Sequence, residues 1–202
     1  MLYENNSKSR EFSMVEPVTP RIIFVGDSGV GKTSLIYRAK YNKFNEGTAP
    51  TIGAGITKME ATHNGVKAEF QLWDTAGQEI YRSIVPMYFK GVCGAIIVFS
   101  FEDRSSFLNL GSWIDELLAH SERPIKYVVV GNKIDCLNQT VSQVEARNWA
   151  NDRKAVIIFT SAITGENVEL LLEHVVNNFV FTPMTGDFIP QAELAAQPKS
   201  CC

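Results

Sequence analysis

Two observations predict an α/β fold: short apolar runs alternate with helical patterns along the chain, and these runs are continuous rather than alternating in polarity. Continuous apolar runs are typical of parallel strands that helices cover on both faces. An alternation of strand and helix is the pattern of such a sheet. The 202 residues are enough for one domain with a core of its own.

The predicted elements lie between a flexible polar leader at 1–19 and an aperiodic, disordered tail at 182–202. The dipeptide Asn64-Gly65 favours a tight hairpin, so the strands beside it are predicted to be antiparallel. The predicted strands are 22–25, 55–62, 66–73, 94–99, 127–130 and 156–159, and the predicted helices are 33–41, 105–120, 141–152 and 166–180. Helical spacing within 105–120 assigns to the core Phe107, Leu110, Trp113, Ile114, Leu117 and Leu118.

The composition excludes several classes of function. The 19 Lys and Arg against 22 Asp and Glu give a formal charge of −3, which argues against nucleic acid as a partner because that affinity needs clustered basic residues. No apolar run approaches the length of about 18 residues that a membrane span needs. The polar leader has no apolar segment like that of a signal peptide, which predicts a cytoplasmic chain. The cysteines lack the spacing of a zinc site or a disulfide framework.

A glycine-rich loop follows the first predicted strand. Gly26-Asp27-Ser28-Gly29-Val30-Gly31-Lys32-Thr33 fits the pattern G-x-x-x-x-G-K-S/T and leads into a helix. Glycines let backbone N–H groups converge on phosphate oxygens, and the helix N-terminus adds a favourable dipole. Lys32 is expected to reach the β and γ phosphates, and the Thr33 hydroxyl to ligate Mg²⁺. The loop predicts a nucleoside triphosphate site without choosing the base.

A second motif bears on the base. Asn132-Lys133-Ile134-Asp135 follows the strand at 127–130, at the edge where open α/β sheets bind ligands. The Asp135 carboxylate can accept hydrogen bonds from the ring N–H and the exocyclic amine of guanine, whereas adenine presents an unprotonated nitrogen. A mismatch that leaves a buried polar group unpaired is strongly rejected. Asp135 is therefore predicted to select guanine.

The segment Trp73-Asp74-Thr75-Ala76-Gly77-Gln78-Glu79 completes a set of five motifs, and with them the sequence resembles the small GTPases of the Ras superfamily and, within it, the Rab family. The other motifs stand in the order of that family at 26–33, 50–53, 131–135 and 160–162. The resemblance implies a GTP-binding domain at 20–181. Its implied fold is a six-stranded, mostly parallel sheet with one antiparallel edge strand, flanked by five helices.

The resemblance also implies the ligands, GTP or GDP with Mg²⁺. It places Thr33 and Thr51 on the metal, with Asp74 reaching it through a water molecule. Phe44 is expected to pack against the guanine face, with a plain core role as its alternative, and the Ala162 N–H is expected to donate to the guanine carbonyl. The implied nucleotide-binding residues are Ser28, Gly29, Val30, Gly31, Lys32, Thr33, Ser34, Phe44, Thr51, Gly77, Asn132, Lys133, Asp135, Ser161 and Ala162.

The residues expected to act in hydrolysis are Lys32, Thr51 and Gln78. Lys32 and the metal held by Thr51 stabilise the charge that develops between the β and γ phosphates. Gln78 orients the attacking water rather than deprotonating it, because an amide has no useful proton affinity. Neither the glycine-rich loop nor 42–53 contains an arginine, so hydrolysis is expected to be slow until an activating protein contributes.

Two loops, at 42–56 and 74–90, are expected to change shape with the γ-phosphate and to contact other proteins. The expected partners are an exchange factor, an activating protein, escort proteins of the GDI type and effectors. Ala54-Gly55-Ile56 stands where Rab proteins usually carry an acid and an aromatic residue. We interpret the chain as a divergent Rab whose nucleotide site is intact and whose partners differ.

The chain ends in Cys201-Cys202, which resembles the double prenylation signal of Rab proteins, with two unmodified cysteines as the alternative. One lipid gives only marginal membrane binding, and the tail has no polybasic run to help, so two lipids are expected. The protein is expected to be a monomer that cycles between the cytoplasm and the cytosolic face of an intracellular membrane.

The leading interpretation is a membrane-attached switch that hydrolyses GTP and recruits effectors in vesicle traffic. Three alternatives remain. The chain could be a GTP-binding interaction module with little or no hydrolysis, against which Gln78 and Thr51 argue. It could be a soluble Ras-like signalling GTPase if the terminal cysteines are idle. A P-loop kinase or ATPase is disfavoured because the chain carries the Asn-Lys-Ile-Asp motif and has no obvious arginine-rich lid.

Overall fold

A six-stranded sheet in the order β2-β3-β1-β4-β5-β6 forms the centre of the molecule. The structure is a computed structural model that describes residues 19–47, 49–77 and 87–181. Only β2 and β3 pair antiparallel; the other neighbouring strands in this sheet are parallel. The strands are β1 Arg21–Val25, β2 Ala54–His63, β3 Val66–Thr75, β4 Gly94–Ser100, β5 Lys126–Asn132 and β6 Val156–Phe159. The predicted α/β class and sheet are confirmed.

The hairpin between β2 and β3 turns on Asn64 and Gly65, which have φ angles of 51° and 80°. A two-residue turn with both central residues at positive φ matches the twist of antiparallel strands. His63 pairs with Val66 across it, and the register continues to Ala54 opposite Thr75. The hairpin therefore places the beginning of β2 beside the end of β3.

Five α-helices in the described part of the chain flank the sheet, as predicted. They are α1 Lys32–Tyr41, α2 Arg104–Leu108, α3 Leu110–His120, α4 Gln143–Asp152 and α5 Val168–Val175. Successive strand residues point to opposite faces, so Ile22 belongs to the core cluster that includes apolar residues of α1 and α5, and Ile23 to the cluster that includes those of α2, α3 and α4. None of the helices in these residues is long and apolar enough to cross a membrane.

The helices differ from prediction in two places. The single helix predicted at 105–120 is divided at Asn109, where ψ is −8°, and the prediction that Leu118 is buried is wrong, since it is half exposed. The helix predicted at 166–180 begins at Val168 and ends in a π-helical turn at Val176–Val180. Gly94 lies against the Phe179 ring of that turn, and Phe179 belongs to the same core cluster as Ile22.

The carboxyl ends of β1, β4, β5 and β6 lie at one edge of the sheet, because these strands are parallel. The segments that leave this edge carry the motifs that the sequence singles out. The predicted leader, apart from Thr19, and the predicted tail lie outside the described residues.

Candidate functional site

The loop between β1 and α1 requires glycine at two positions. Gly26 has a φ of 137° and Gly31 a φ of 96°, values that other residues rarely adopt. A Cβ atom at Gly26 would lie 2.1 Å from the carbonyl oxygen of Val98, and one at Gly31 would lie 2.3 Å from the side chain of Asn132. The glycines therefore allow the loop to pack against β4 and β5.

The same loop opens into the N-terminus of α1. Gly31 is the N-cap residue and gives the helix no side-chain hydrogen bond. The N–H groups of a first helical turn have no partners within the helix, and the helix dipole attracts anions to them. This end of α1 is therefore suited to bind phosphate.

Lys32 is buried at the base of the loop, with only 6% of its surface exposed. Its Nζ donates to the carbonyl oxygens of Gly26 at 2.7 Å and Asp27 at 2.8 Å. Burial lowers the pKa of Lys32 to about 8, against the carboxylates of Asp74 and Asp27, which raise it. A buried ammonium group gains from an anionic ligand, because desolvation disfavours its charge.

Two hydroxyl groups converge on the carboxylate of Asp74 at the end of β3. Thr33 Oγ1 donates to Asp74 Oδ2 at 2.6 Å, and Thr51 Oγ1 donates to the same oxygen at 3.0 Å. The two hydroxyl oxygens are 2.9 Å apart. Burial raises the pKa of Asp74, while the hydrogen bonds from both threonines lower it. Three oxygen atoms that could ligate a metal therefore lie together in a partly buried cluster.

This set fits a hard divalent cation. Asp74 Oδ1 is buried and has no hydrogen-bond partner among the described residues, and an unpaired buried oxygen is costly unless something binds it. Mg²⁺ prefers oxygen ligands, keeps several of its waters and uses few protein groups. Two hydroxyls beside one carboxylate, next to the glycine-rich loop, provide oxygen ligands of this kind.

Asn132, at the end of β5, connects three loops of the site. Its Nδ2 donates to the carbonyl oxygen of Val30 at 2.9 Å, and its Oδ1 accepts from Thr160 Oγ1 at 3.3 Å and from the Ala162 N–H at 3.2 Å. Its side chain is buried. Asn132 therefore holds the glycine-rich loop beside the loop that follows β6.

A cleft with a volume of about 410 Å³ runs from the glycine-rich loop past these residues. That is within the usual size of a small-molecule site. The sequence-predicted residues on its wall are Ser28, Gly29, Gly31, Lys32, Thr33, Ser34, Phe44, Thr51, Gly77, Asn132, Lys133, Asp135 and Ala162. The structure therefore gathers residues of all five motifs into one cleft.

Other predicted residues lie elsewhere. The side chains of Val30 and Ser161 are buried, and Ser161 Oγ accepts from the Thr164 N–H at 2.9 Å. Asp74 does not line the cleft but accepts hydrogen bonds from Thr33 and Thr51, which do. Phe44 lines the cleft and also packs against the core. The predicted residues Gln78, Cys201 and Cys202 lie outside the described residues.

The cleft has further lining residues that the sequence reasoning did not select: Ala49, Pro50, Thr75, Glu102 and Ile163. Pro50 and Thr75 belong to motifs already identified, so their position could have been inferred. Glu102 forms an ion pair with Lys133 across two loops. Nothing local in the sequence signals that pair, because its members are 31 residues apart.

The sequence model of the Ras family matches residues 21–180 of the chain. This range covers all of the strands and helices described above.

Several proteins are similar to this chain over most of its length. The GTP-binding protein ypt3 of Schizosaccharomyces pombe is 41% identical over 150 residues, which are 74% of this chain and 70% of that protein. The Ras-related protein RABA5c of Arabidopsis thaliana is 35% identical over 77% of this chain and 73% of its own length. The Ras-related protein Rab-18 of Lymnaea stagnalis is 36% identical over 82% of each chain.

Proposed function

This chain belongs to the Ras family and, within it, to the Rab group of small GTPases, and from that premise we propose how its own residues bind nucleotide, hydrolyse GTP and reach a membrane. The protein binds guanine nucleotide and hydrolyses GTP as a switch in vesicle traffic. The observation that carries the residue assignment is the convergence of Thr33 and Thr51 on Asp74.

The phosphates of the nucleotide bind in the glycine-rich loop. Lys32 Nζ donates to two carbonyl oxygens of that loop in the structure. When nucleotide binds, Nζ turns toward the β and γ phosphates, whose negative charge stabilises the ammonium form of this buried side chain. Thr33 and Thr51 would hold Mg²⁺ together, with Asp74 fixing one of its waters. The metal would supply charge neutralisation between the β and γ phosphates.

Hydrolysis needs a water in line with the bond that breaks. Gln78 orients that water, and the Gly77 N–H, one residue earlier, donates to the γ-phosphate. Gly77 is already close to the loop, since a Cβ atom there would lie 2.4 Å from the Asp27 carbonyl and 2.5 Å from Lys32 Nζ. No arginine lines the described cleft, so an activating protein supplies the remaining acceleration.

The base is selected at the other end of the cleft. Asp135 accepts from the ring N–H and the amine of guanine, Phe44 covers one face of the base, and the Ala162 N–H donates to its carbonyl. Ala162 N–H is 3.2 Å from Asn132 Oδ1, at the long end of the normal range. This N–H can therefore donate to Asn132 Oδ1 and to the guanine carbonyl together, as a bifurcated hydrogen bond.

Partners bind the surface formed by 42–56 and 74–90. In its described part, Ile52 is 80% exposed and Met87 is 74% exposed, and exposed apolar side chains of this kind mark contact surfaces when they cluster. Thr51, beside Ile52, contacts the γ-phosphate side of the site, so loss of that phosphate releases this surface. Effectors therefore read the GTP state.

The carboxyl terminus attaches the protein to the cytosolic face of an intracellular membrane. Cys201 and Cys202 each carry a prenyl group, because one lipid chain alone gives only marginal binding. The exchange factor, the activating protein and an escort protein of the GDI type move the protein between this membrane and the cytoplasm. The folded domain itself is a monomer.

Release of bound GDP tests the metal site. Chelation of Mg²⁺ with EDTA is expected to speed the release of a fluorescent GDP from the wild type at least about tenfold. Thr33→Val is expected to release GDP quickly with or without EDTA, because it lacks the ligating hydroxyl. Thr140→Val, whose hydroxyl lies outside the cleft, is the matched control and keeps the wild-type response. A Thr33→Val protein that responds to EDTA like the wild type would contradict the assignment.

Membrane fractionation in the native cells tests the terminal cysteines. The double substitution Cys201→Ser/Cys202→Ser is expected to move the protein from membranes into the soluble fraction, whereas Cys136→Ser in the folded domain leaves it on membranes. Equal distribution of the wild type and the double variant would show that these cysteines do not anchor the chain.

A further inference from the structure

Arg38, in the last turns of α1, donates hydrogen bonds to two different loops. Its Nε bonds the carbonyl oxygen of Ala162 at 2.7 Å, and one terminal nitrogen bonds the carbonyl oxygen of Asn42 at 3.0 Å. The other terminal nitrogen bonds the carbonyl oxygen of Ile163. A guanidinium group is a rigid, planar fork of donors, so a single side chain fixes three carbonyl groups at once.

Both loops contribute to the part of the cleft where the base is proposed to bind. Ala162 and Ile163 line it after β6, and Phe44 lines it two residues beyond Asn42. Arg38 itself does not line the cleft. It therefore acts on the base through the backbone of these loops, and it does not touch the nucleotide.

The helix that carries Arg38 also carries the phosphate-binding end of the site. Lys32 begins α1, and Arg38 lies six residues later, about 9 Å along the helix at 1.5 Å per residue. A helix of this length is rigid. It thus sets the distance between the residues at the phosphates and the loop at the base.

We propose that Arg38 is a positioning residue for base selection, which holds the Ala162 N–H against position 6 of the base and so contributes to the rejection of adenine. Guanine has a carbonyl acceptor at that position, and adenine has an amino donor that would face the N–H donor. The inference rests on the proposed role of Ala162. A held loop cannot move away from an adenine amine, whereas a free loop can, so discrimination depends on how firmly the loop is held.

Comparison of GDP, ADP and IDP distinguishes this role of Arg38 from a general effect on the stability of the fold. ADP differs from GDP at position 6, where the Ala162 loop acts, and also at the ring N–H and the amine that Asp135 is proposed to bind. IDP lacks only the exocyclic amine, which Asp135 is proposed to bind. The ratio of the dissociation constants of IDP and GDP reports on the contact of Asp135 with the base. A change in the ADP-to-GDP ratio at an unchanged IDP-to-GDP ratio therefore reports on the loop.

The experiment measures these dissociation constants for the full-length protein and three variants. Arg38→Met removes the donors and keeps the aliphatic chain, and Arg38→Lys restores the charge with fewer donors. Arg153→Met is the control, since Arg153 also bonds a carbonyl oxygen, that of Trp149, away from the cleft. Thermal unfolding of each variant in the presence of GDP is measured alongside.

Arg38→Met is expected to lower the ADP-to-GDP ratio about tenfold, because the loop loses its charge-assisted bonds to the guanidinium group. Its IDP-to-GDP ratio stays at the wild-type value, and Arg38→Lys recovers part of the ADP discrimination. Arg153→Met changes neither ratio. If Arg38→Met lowers thermal stability but leaves the ADP-to-GDP ratio unchanged, Arg38 has only a structural role and the proposal is wrong. If the wild type itself binds ADP as well as GDP, the base site proposed above fails, and this inference fails with it.

Discussion

Thr51 and Asp74 are joined by a hydrogen bond of 3.0 Å from the threonine hydroxyl to the carboxylate. The bond connects the segment that follows α1 with the end of β3. A second contact lies next to it, where the Ala76 N–H donates to the Gly53 carbonyl oxygen at 2.9 Å. In its described part, much of this segment is exposed, as Ile52 shows. A segment that is exposed and bonded near its end can be ordered or released by one ligand group.

Removing the Thr51 hydroxyl is expected to weaken the binding of GTP more than the binding of GDP. Thr51→Ala loses a contact that is proposed to form only with the γ-phosphate and its metal, so affinity for a non-hydrolysable GTP analogue falls about tenfold. The affinity for GDP stays near that of the wild type. Competition binding with both nucleotides measures the difference, and Thr62→Ala on β2 is the control. An equal loss for both nucleotides would refute this role of Thr51.

Exchanging the Asp135 carboxylate for an amide is expected to change the preferred base. Asn offers one acceptor and one donor, which matches the ring N–H and the carbonyl of xanthine but not the two donors of guanine. Asp135→Asn should therefore bind GDP at least about 100-fold more weakly and bind xanthosine diphosphate more tightly than the wild type does. Direct titration with both nucleotides measures this exchange. Unchanged preference for GDP would remove Asp135 from base recognition.

Gly94 is expected to be essential for packing of the last helical turn. A Cβ atom there would lie 2.4 Å from the ring of Phe179, so Gly94→Ala should lower the free energy of unfolding by about 1–3 kcal/mol through overpacking. Gly111→Ala on α3 is the control, because a Cβ atom there meets no neighbour within 4 Å.

Urea denaturation of Gly94→Ala in two backgrounds isolates the contact. In a Phe179→Leu protein, the cost of Gly94→Ala should shrink, since the ring that the new methyl group meets is gone. The same cost in both backgrounds would show that the methyl group acts elsewhere.

His174 is expected to make the fold less stable in acid. Burial lowers the pKa of His174 below its ordinary value of 6.5, so the unfolded chain binds a proton at a higher pH than the folded chain does. Stability is therefore lost from this group as the pH falls below about 6.5. Chemical denaturation at several pH values should show a smaller loss over this window in His174→Gln than in the wild type. Parallel losses in the two proteins would exclude this contribution.

The sequence predicts much of the lining of the cleft, because each motif is contiguous and lies next to a predicted strand. Gly26 and Lys32 act within one loop, and Asp135 follows a buried strand. The connections between motifs are not predictable in this way. Asp27, for example, accepts from the Trp113 indole at 2.8 Å and from Asn109 at 2.7 Å.

The division of the helix predicted at 105–120 has the same origin. Asn109, where the helix divides, donates to a loop that is 82 residues away in sequence, and apolar spacing contains no information on such a bond. The spacing also predicts Leu118 in the core, although half of its surface is exposed. Tertiary contacts, rather than local preference, decided these points.

Single-turnover hydrolysis tests the central claim most directly. The purified protein is loaded with γ-labelled GTP and Mg²⁺, excess ATP is added, and phosphate release is followed for the wild type and Gln78→Leu. The wild type is expected to keep its GTP in the presence of ATP and to release phosphate slowly and completely, while Gln78→Leu keeps GTP and hydrolyses it far more slowly. Displacement of GTP by ATP, or equal phosphate release by both proteins, would contradict the account.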